Sequence, residues 1–227
     1  MNILITNDDG IHAPGLKALE SALKSSGHNL ITLAPAEQHS ECSHKINTSK
    51  DIKVKAEGHQ RQSISGSPAD CVRIGLHTLN KIDLVCSGIN SGGNLGVDIY
   101  YSGTVAAARE ACFHDIPSIS FSNYLKRDKG IAWEKASTLI EKNLEMLLAN
   151  TSSQHILNVN FPWDLSNSTN LNWVEAPLEK SPLTLDFTNQ KDTYNYKGDY
   201  PNRQRTKGTD VDICFSGEIS YTKIPLL

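Results

Sequence analysis

An α/β fold is what this chain predicts: a mostly parallel sheet with helices on both faces, followed by a β-rich C-terminal extension. Two observations carry that reading. From Asn2 to Pro162, short β-branched and apolar runs alternate with segments of helical periodicity. Such alternation sets parallel strands side by side through helical crossovers. From about Trp163 the periodicity stops, and Asn, Thr, Lys, Pro and Tyr surround short strand-like runs. The chain divides on this basis into a Rossmann-like α/β domain, 1–162, and an extension, 163–227, that supplies closing strands and an arm suited to oligomerisation.

The elements follow in order. Asn2–Thr6 is a short apolar run that suits a buried strand. Pro14 suits the first turn of a helix whose stripe is Leu16, Leu19, Ala22 and Leu23, and Gly27 ends it. Leu30–Leu33 is a second strand, stopped by Pro35, and Ile52–Val54 and Gln62–Ser65 are two shorter ones. Ser67-Pro68-Ala69-Asp70 opens a helix with a capping hydroxyl, a proline at the first position and an acid in the first turn. Ile82–Cys86 is a strand that leads into a glycine-rich stretch ending at Gly103, and Thr104–His114 is a helix of small residues. Ser118–Ser122 is a strand, Ile131–Ala149 one long amphipathic helix, and Ile156–Asn160 a further strand closed by Pro162. In the extension, Trp173–Ala176, Val211–Phe215 and Glu218–Thr222 read as strands.

Composition bounds the function. The 227 residues are 38% hydrophobic and 21% charged, enough to bury a core. Lys and Arg total 22 against 25 Asp and Glu, a net charge of −3. That balance argues against binding nucleic-acid polymers or an anionic membrane. No apolar run reaches the ~18 residues of a membrane span. The first residues carry no basic segment before the apolar run, so a secretory leader is not expected. Cys42, Cys71, Cys86, Cys112 and Cys214 are odd in number and widely spaced, which suits neither a disulfide scaffold nor a zinc site. The expected compartment is the cytoplasm.

The chemistry collects after the strands, where ligands bind in a parallel sheet. Asn7-Asp8-Asp9-Gly10 follows the first strand, Gln38-His39-Ser40 the second, and Ser87-Gly88-Ile89-Asn90-Ser91-Gly92-Gly93-Asn94-Leu95-Gly96 the strand at Ile82–Cys86. Ser102-Gly103-Thr104 opens the next helix. Adjacent carboxylates at a strand end are costly unless a cation neutralises them. Oxygen donors without Cys or paired His favour Mg²⁺ or Mn²⁺. Taken alone, Asn-Asp-Asp-Gly reads as readily as a turn, and the glycine stretch as a connector. Their convergence at one crevice favours a site, because glycines and a helix N-terminus offer N–H groups to phosphate. A metal beside such a nest is equipment for phosphoryl chemistry. Ser40, Ser87 and Ser102 have no evident base beside them, so no covalent nucleophile stands out; His39 and His44 are candidates to protonate the leaving group, but a lone loop histidine is more often merely solvated, and neither is counted as catalytic.

These segments, in this order, resemble the SurE family of survival-protein nucleotidases. The likeness runs through Ile3–Ile11, Ala34-Pro35 with Ser40 and His44, Ser65–Val72, Ser87–Gly96 and Tyr101–Val105. Asn158-Val159-Asn160-Phe161-Pro162 and Gly208-Thr209-Asp210-Val211-Asp212 match less specifically. Ala106 and Ala111 stand where the family often has glycine, and 163–207 follows the family poorly. The resemblance implies a 5′/3′-nucleotidase that hydrolyses nucleoside monophosphates to nucleoside and phosphate with one divalent metal ion, Mg²⁺ or Mn²⁺. By position, Asp8, Asp9, Ser40 and Asn90 match its metal ligands, with Asp8 and Asp9 also the catalytic pair. Asn94, Ser102, Gly103 and Thr104 match its phosphate pocket. A homodimer or homotetramer is implied as well.

Three other readings compete. A signalling receiver needs a phospho-accepting Asp at the end of its third parallel strand, and Asp83-Leu84-Val85-Cys86 leads into Ser87-Gly88 instead. A haloacid-dehalogenase-like phosphatase needs Asp-x-Asp, and Gly10 stands where the second Asp belongs. A catalytically inactive nucleotide- or phosphate-binding regulatory protein would keep every one of these residues.

Overall fold

A computed structural model describes residues 1–126, 129–166 and 171–226. The strands of its main sheet are β1 (Asn2–Thr6), β2 (Asn29–Pro35), β3 (Val54–Gly58), β4 (Arg61–Ile64), β5 (Leu84–Ser91), β6 (Ser118–Asn123), β7 (His155–Phe161), β8 (Trp173–Glu175) and β11 (Ile219–Pro225). A separate hairpin pairs β9 (Phe187–Gln190) with β10 (Thr193–Tyr196). The sheet order is β3-β4-β2-β1-β5-β6-β7-β11-β8. Strands β4, β2, β1, β5, β6 and β7 run parallel, while β3 on β4 and β11 on β7 are antiparallel. The fold class is therefore the expected one.

The helices fall on two faces. On one, α1 (Pro14–Lys24) packs against α4 (Trp133–Lys142), and Leu16, Leu19, Leu23, Ala136 and Ile140 join Ile3, Ile5, Leu157 and Val159 in the larger core cluster. On the other, α2 (Pro68–Thr78) and α3 (Gly103–Phe113) bury Cys71, Val72, Ala107 and Ala111 against Leu4, Leu33 and Val85. The Ser67 hydroxyl accepts from Asp70 N at 3.1 Å and the Asp70 carboxylate accepts from Ser67 N at 3.0 Å, a reciprocal cap that starts α2 where the sequence places it. In α3, Ser102 Oγ accepts from Val105 N at 3.0 Å, and a run of alanines brings the helix close to the sheet.

Several expectations need correction. The long helix over 131–149 is two, α4 and α5 (Leu144–Ala149). At the junction Asn143 leaves helical geometry and its side-chain amide takes the Leu139 carbonyl, the local competition that ends helices at Asn. Strand β5 continues through Gly88 to Ser91 rather than stopping at Cys86, with a register shift against β6 between Ser87 and Asn90. Strand β3 starts at Val54, two residues after the expected start.

Val211–Phe215, expected to be a strand, lies in the helix α6 (Asp210–Phe215). Asp210 and Asp212 place acid in its first turn, and Val211 and Cys214, three apart, both turn inward. The extension is thus shared between two layers: β8 and β11 complete the main sheet, whereas the β9–β10 hairpin stays fully exposed.

Candidate functional site

Strand β1 lies between β2 and β5, whose chain connections leave in opposite directions. That switch point is where a doubly wound sheet opens a crevice. A cleft of about 710 Å³ lies there, and Asp8, Asp9, Ser40, Asn90, Asn94 and Ser102 all line it. Six of the eight sequence-predicted site residues therefore meet in one place. Gly103 and Thr104 do not line the cleft; they stand behind Asp8.

Asp8 lies two residues beyond the end of β1 and is only 6% exposed. Its Oδ1 accepts a 2.5 Å hydrogen bond from Thr104 Oγ1. Burial pushes its carboxyl up to about 6; the Thr104 bond opposes the rise and the neighbouring Asp9 charge adds to it. Asp9 is half-buried. Its Oδ2 accepts from Ser91 N at 3.0 Å, and Gln38 Nε2 lies 3.3 Å from its Oδ1. Burial raises this carboxyl too, against the Ser91 bond. Gly103 permits the fit: a Cβ there would sit 2.9 Å from Asp8 Cβ and 2.8 Å from Cys42 Sγ.

Ser40 is exposed at the tip of the loop after β2 and accepts from Gln38 Nε2 at 2.8 Å. That loop is tied down around the site. His39 N donates to Asp8 O at 2.8 Å, Ser43 N to Tyr101 O at 3.0 Å, and His44 Nε2 lies 2.7 Å from Glu110 Oε2. Glu110 also takes Arg73 Nη1 at 3.1 Å. His44 thus faces α3 and, like His39, stays out of the cleft lining.

Asn90 gives its Nδ2 to Gly92 O at 2.9 Å, which leaves its Oδ1 for a cation. Asn94 is held from several sides. Its N donates to Asn160 Oδ1 at 2.8 Å, its O accepts from Asn158 Nδ2 at 2.9 Å, and its Nδ2 donates to Ser122 Oγ at 2.7 Å.

Two carboxylates side by side, one buried and one half-buried, with hydroxyl and amide oxygens beside them, fit a hard divalent cation. Among the described residues no group of three or more His, Cys, Asp or Glu is arranged to hold a metal, so any such ion would depend on neutral oxygens for part of its shell. Softer metals gain nothing from that donor set.

The rest of the cleft lining differs in character. Tyr101, Tyr124, Tyr196 and Tyr200 line it with Leu125 and Leu183. Asp98 also lines it, and its Oδ2 accepts from Tyr200 Oη at 2.5 Å and from the buried Arg203 Nη1 at 2.7 Å. Burial raises Asp98, opposed by both partners. The tyrosines of the extension, Tyr196 on the β9–β10 hairpin and Tyr200 in a short turn, had no sequence signal, because no motif or periodicity links them to the strand ends of the main sheet. Asn158 and Asn160 did have one: two amides alternating with apolar residues on a buried strand.

Known proteins share this fold. The family model described as "Survival protein SurE" matches residues 3–184. A relative from Nostoc sp. is 41% identical over 226 residues, covering 99% of both chains. A 5′-nucleotidase SurE from Paramagnetospirillum magneticum is 35% identical over 234 residues, covering 99% of this chain and 89% of its own. The crystal structure of the SurE protein from Aquifex aeolicus superposes with a TM-score of 0.86 at 29% identity, covering 100% of this chain and 94% of that one. With the family model spanning most of its length and relatives above 30% identity along nearly all of it, the chain belongs to the SurE family.

Proposed function

We propose that this protein is a phosphoric monoester hydrolase that releases phosphate from nucleoside monophosphates, using Mg²⁺ or Mn²⁺. The observation that carries the reading is the mixed lining of one cleft: a carboxylate pair with Ser102 at a helix N-terminus, and four tyrosines. A nucleotide has matching parts, since its phosphate needs neutralisation and hydrogen-bond donors while its base offers a flat face to aromatic rings. The names of the curated relatives, 5′-nucleotidase SurE, support the same substrate class.

Asp8, Asp9, Ser40 and Asn90 would hold the cation. When bound, it supplies neutralisation of phosphoryl charge and a lowered pKa for water. Asp8 and Asp9 hold the reacting centre together, and one of them takes the proton of the attacking water. Ser102 lines the cleft at the positive end of α3, and its hydroxyl, which accepts from Val105 N, keeps its own proton for a phosphate oxygen, while Gly103 and Thr104 support it from behind Asp8. Asn94 adds a side-chain donor. Assembly as a homodimer or homotetramer belongs to the same reading, with the exposed β9–β10 hairpin as the contact.

Phosphate release from a panel of 5′- and 3′-mononucleotides, with Mg²⁺, with Mn²⁺ and with EDTA, tests the proposal. Metal-dependent release is the expected result. Nucleotide binding without release under every metal condition would instead mark an inactive binding protein.

A further inference from the structure

Two sequence motifs have no role in the chemistry above, Asn158–Pro162 on β7 and Gly208–Asp212 at the start of α6. Both reach the same loop. Asn160 Oδ1 accepts from Asn94 N at 2.8 Å, while Asn158 Nδ2 and Asn160 Nδ2 donate to Asn94 O at 2.9 and 3.1 Å. Ser120 Oγ donates to Asn158 Oδ1 at 2.8 Å and so fixes which way that amide points. Two residues further along, Gly96 N donates to Asp210 Oδ2 at 2.7 Å. The other oxygen of Asp210 accepts from Glu179 N at 2.8 Å and Val211 N at 2.9 Å.

These groups are costly where they sit. Asn158 and Asn160 are each 1% exposed on a strand otherwise filled by Leu157, Val159 and Phe161, and Asp210 is fully buried. A buried amide or carboxylate destabilises unless its polar atoms find partners. Here each of the three finds at least one partner among the main-chain groups of one short segment. That segment has little means of holding itself: Gly92 has φ +147° and Gly96 φ +54°, so it is bounded by residues with the widest backbone freedom. A donor that must meet phosphate without reorganising has to be held by its surroundings.

We propose that Ser122, Asn158, Asn160 and Asp210 are positioning residues that clamp the main chain of 94–96, and the side chain of Asn94, in the geometry that receives phosphate. The inference rests on the reading of Asn94 as a phosphate donor. It also makes the C-terminal extension part of the active site, because Asp210 and its partner Glu179 come from that extension.

The test uses the full-length protein, Asn160→Asp, Asp210→Asn and Ser122→Ala, with inorganic phosphate as the probe. Asn160→Asp keeps the acceptor for Asn94 N but sets an oxygen against the Asn94 carbonyl. Calorimetric titration of phosphate in the presence of Mn²⁺ should show affinity weakened about tenfold, the effect of one lost buried hydrogen bond. KM for a mononucleotide should rise in step. The rise in melting temperature that Mn²⁺ alone produces should survive, since Asp8 and Asp9 are untouched. Lower melting temperatures with phosphate affinity at the wild-type level would overturn the clamp and leave only a role in stability. If the two strand and helix variants do not fold, Ser122→Ala, which removes one hydroxyl, decides. Failure of the wild type to bind phosphate would overturn the phosphate site itself; binding without turnover would overturn only the nucleotidase reading.

Discussion

Thr104 Oγ1 donates to Asp8 Oδ1 at 2.5 Å, and Thr104 is wholly buried. The resemblance implies a phosphate contact for this threonine. Its hydroxyl points instead at a carboxylate that burial has made hard to ionise, and the bond favours the charged form. Thr104 is therefore placed to act through Asp8.

Thr104→Val, equal in shape, should lower phosphate release roughly 10- to 100-fold, as expected for a lost hydrogen bond to a charged group. Thr104→Ser should restore most of it. Metal titration should show weaker Mn²⁺ binding in the valine variant. Equal metal affinity in Thr104→Val and wild type would return this threonine to the phosphate.

The Asp8–Asp9 pair makes a prediction about stability. Burial and mutual repulsion raise Asp8, so two charges here destabilise the metal-free fold. Asp9→Asn should melt in EDTA at the same temperature as wild type or higher. A bound ion stabilises the native state by about 2.7 kcal/mol at a hundredfold excess over its dissociation constant. Wild type should show that upward shift with Mn²⁺ or Mg²⁺, and Asp9→Asn should lose most of it together with nearly all activity. Paired melts check this, and an equal metal shift in both proteins would remove Asp9 from the site.

Glu179 sets a pH dependence of the extension. Its burial would raise the carboxyl, but hydrogen bonds from Ser181 N and Thr206 N outweigh that and hold it down at about 2, below the ordinary 4.5. A depressed carboxyl contributes stability above its unfolded pKa and loses it as pH falls through the folded value. Glu179→Gln should cost about 1.5–3 kcal/mol at neutral pH. The gap from wild type should narrow between about pH 4.5 and pH 2. Denaturant melts at several pH values measure it, and a gap that stays constant with pH contradicts the assignment.

The β9–β10 hairpin leaves Phe187 51% and Tyr194 67% exposed, and Leu185, two residues before it, is 91% exposed. Apolar side chains on an isolated hairpin favour a partner surface. Light scattering at micromolar concentration should give at least twice the 24.9 kDa of one chain. Leu185→Asp with Phe187→Asp should shift it toward the monomer. A wild-type monomer would end this reading. The arm expected over 163–207 includes 167–170, which lie outside the described residues.

What the chain's order of residues determined is local and periodic. Apolar runs and helical patterns placed most strands and helices of the first 162 residues within a few positions, the break at Asn143 apart, and the Ser67 cap fixed the start of α2, because capping needs only neighbours in sequence. The carboxylate pair, Ser40, Asn90, Asn94 and Ser102 were legible because a parallel sheet delivers every strand's carboxyl end to one edge. Tertiary structure decided the rest. Val211–Phe215 has strand-forming residues, yet burial of Val211 and Cys214 on one side and the acids of its first turn make it helical. Thr104 changed partner because its direction depends on where β1 ends, almost a hundred residues earlier in the chain. The amides of β7 and the carboxylate of Asp210 meet one loop from 64 to 114 residues away. No local pattern encodes such a meeting, since the energy that selects it comes from polar groups that can be satisfied only once the sheet has closed around them.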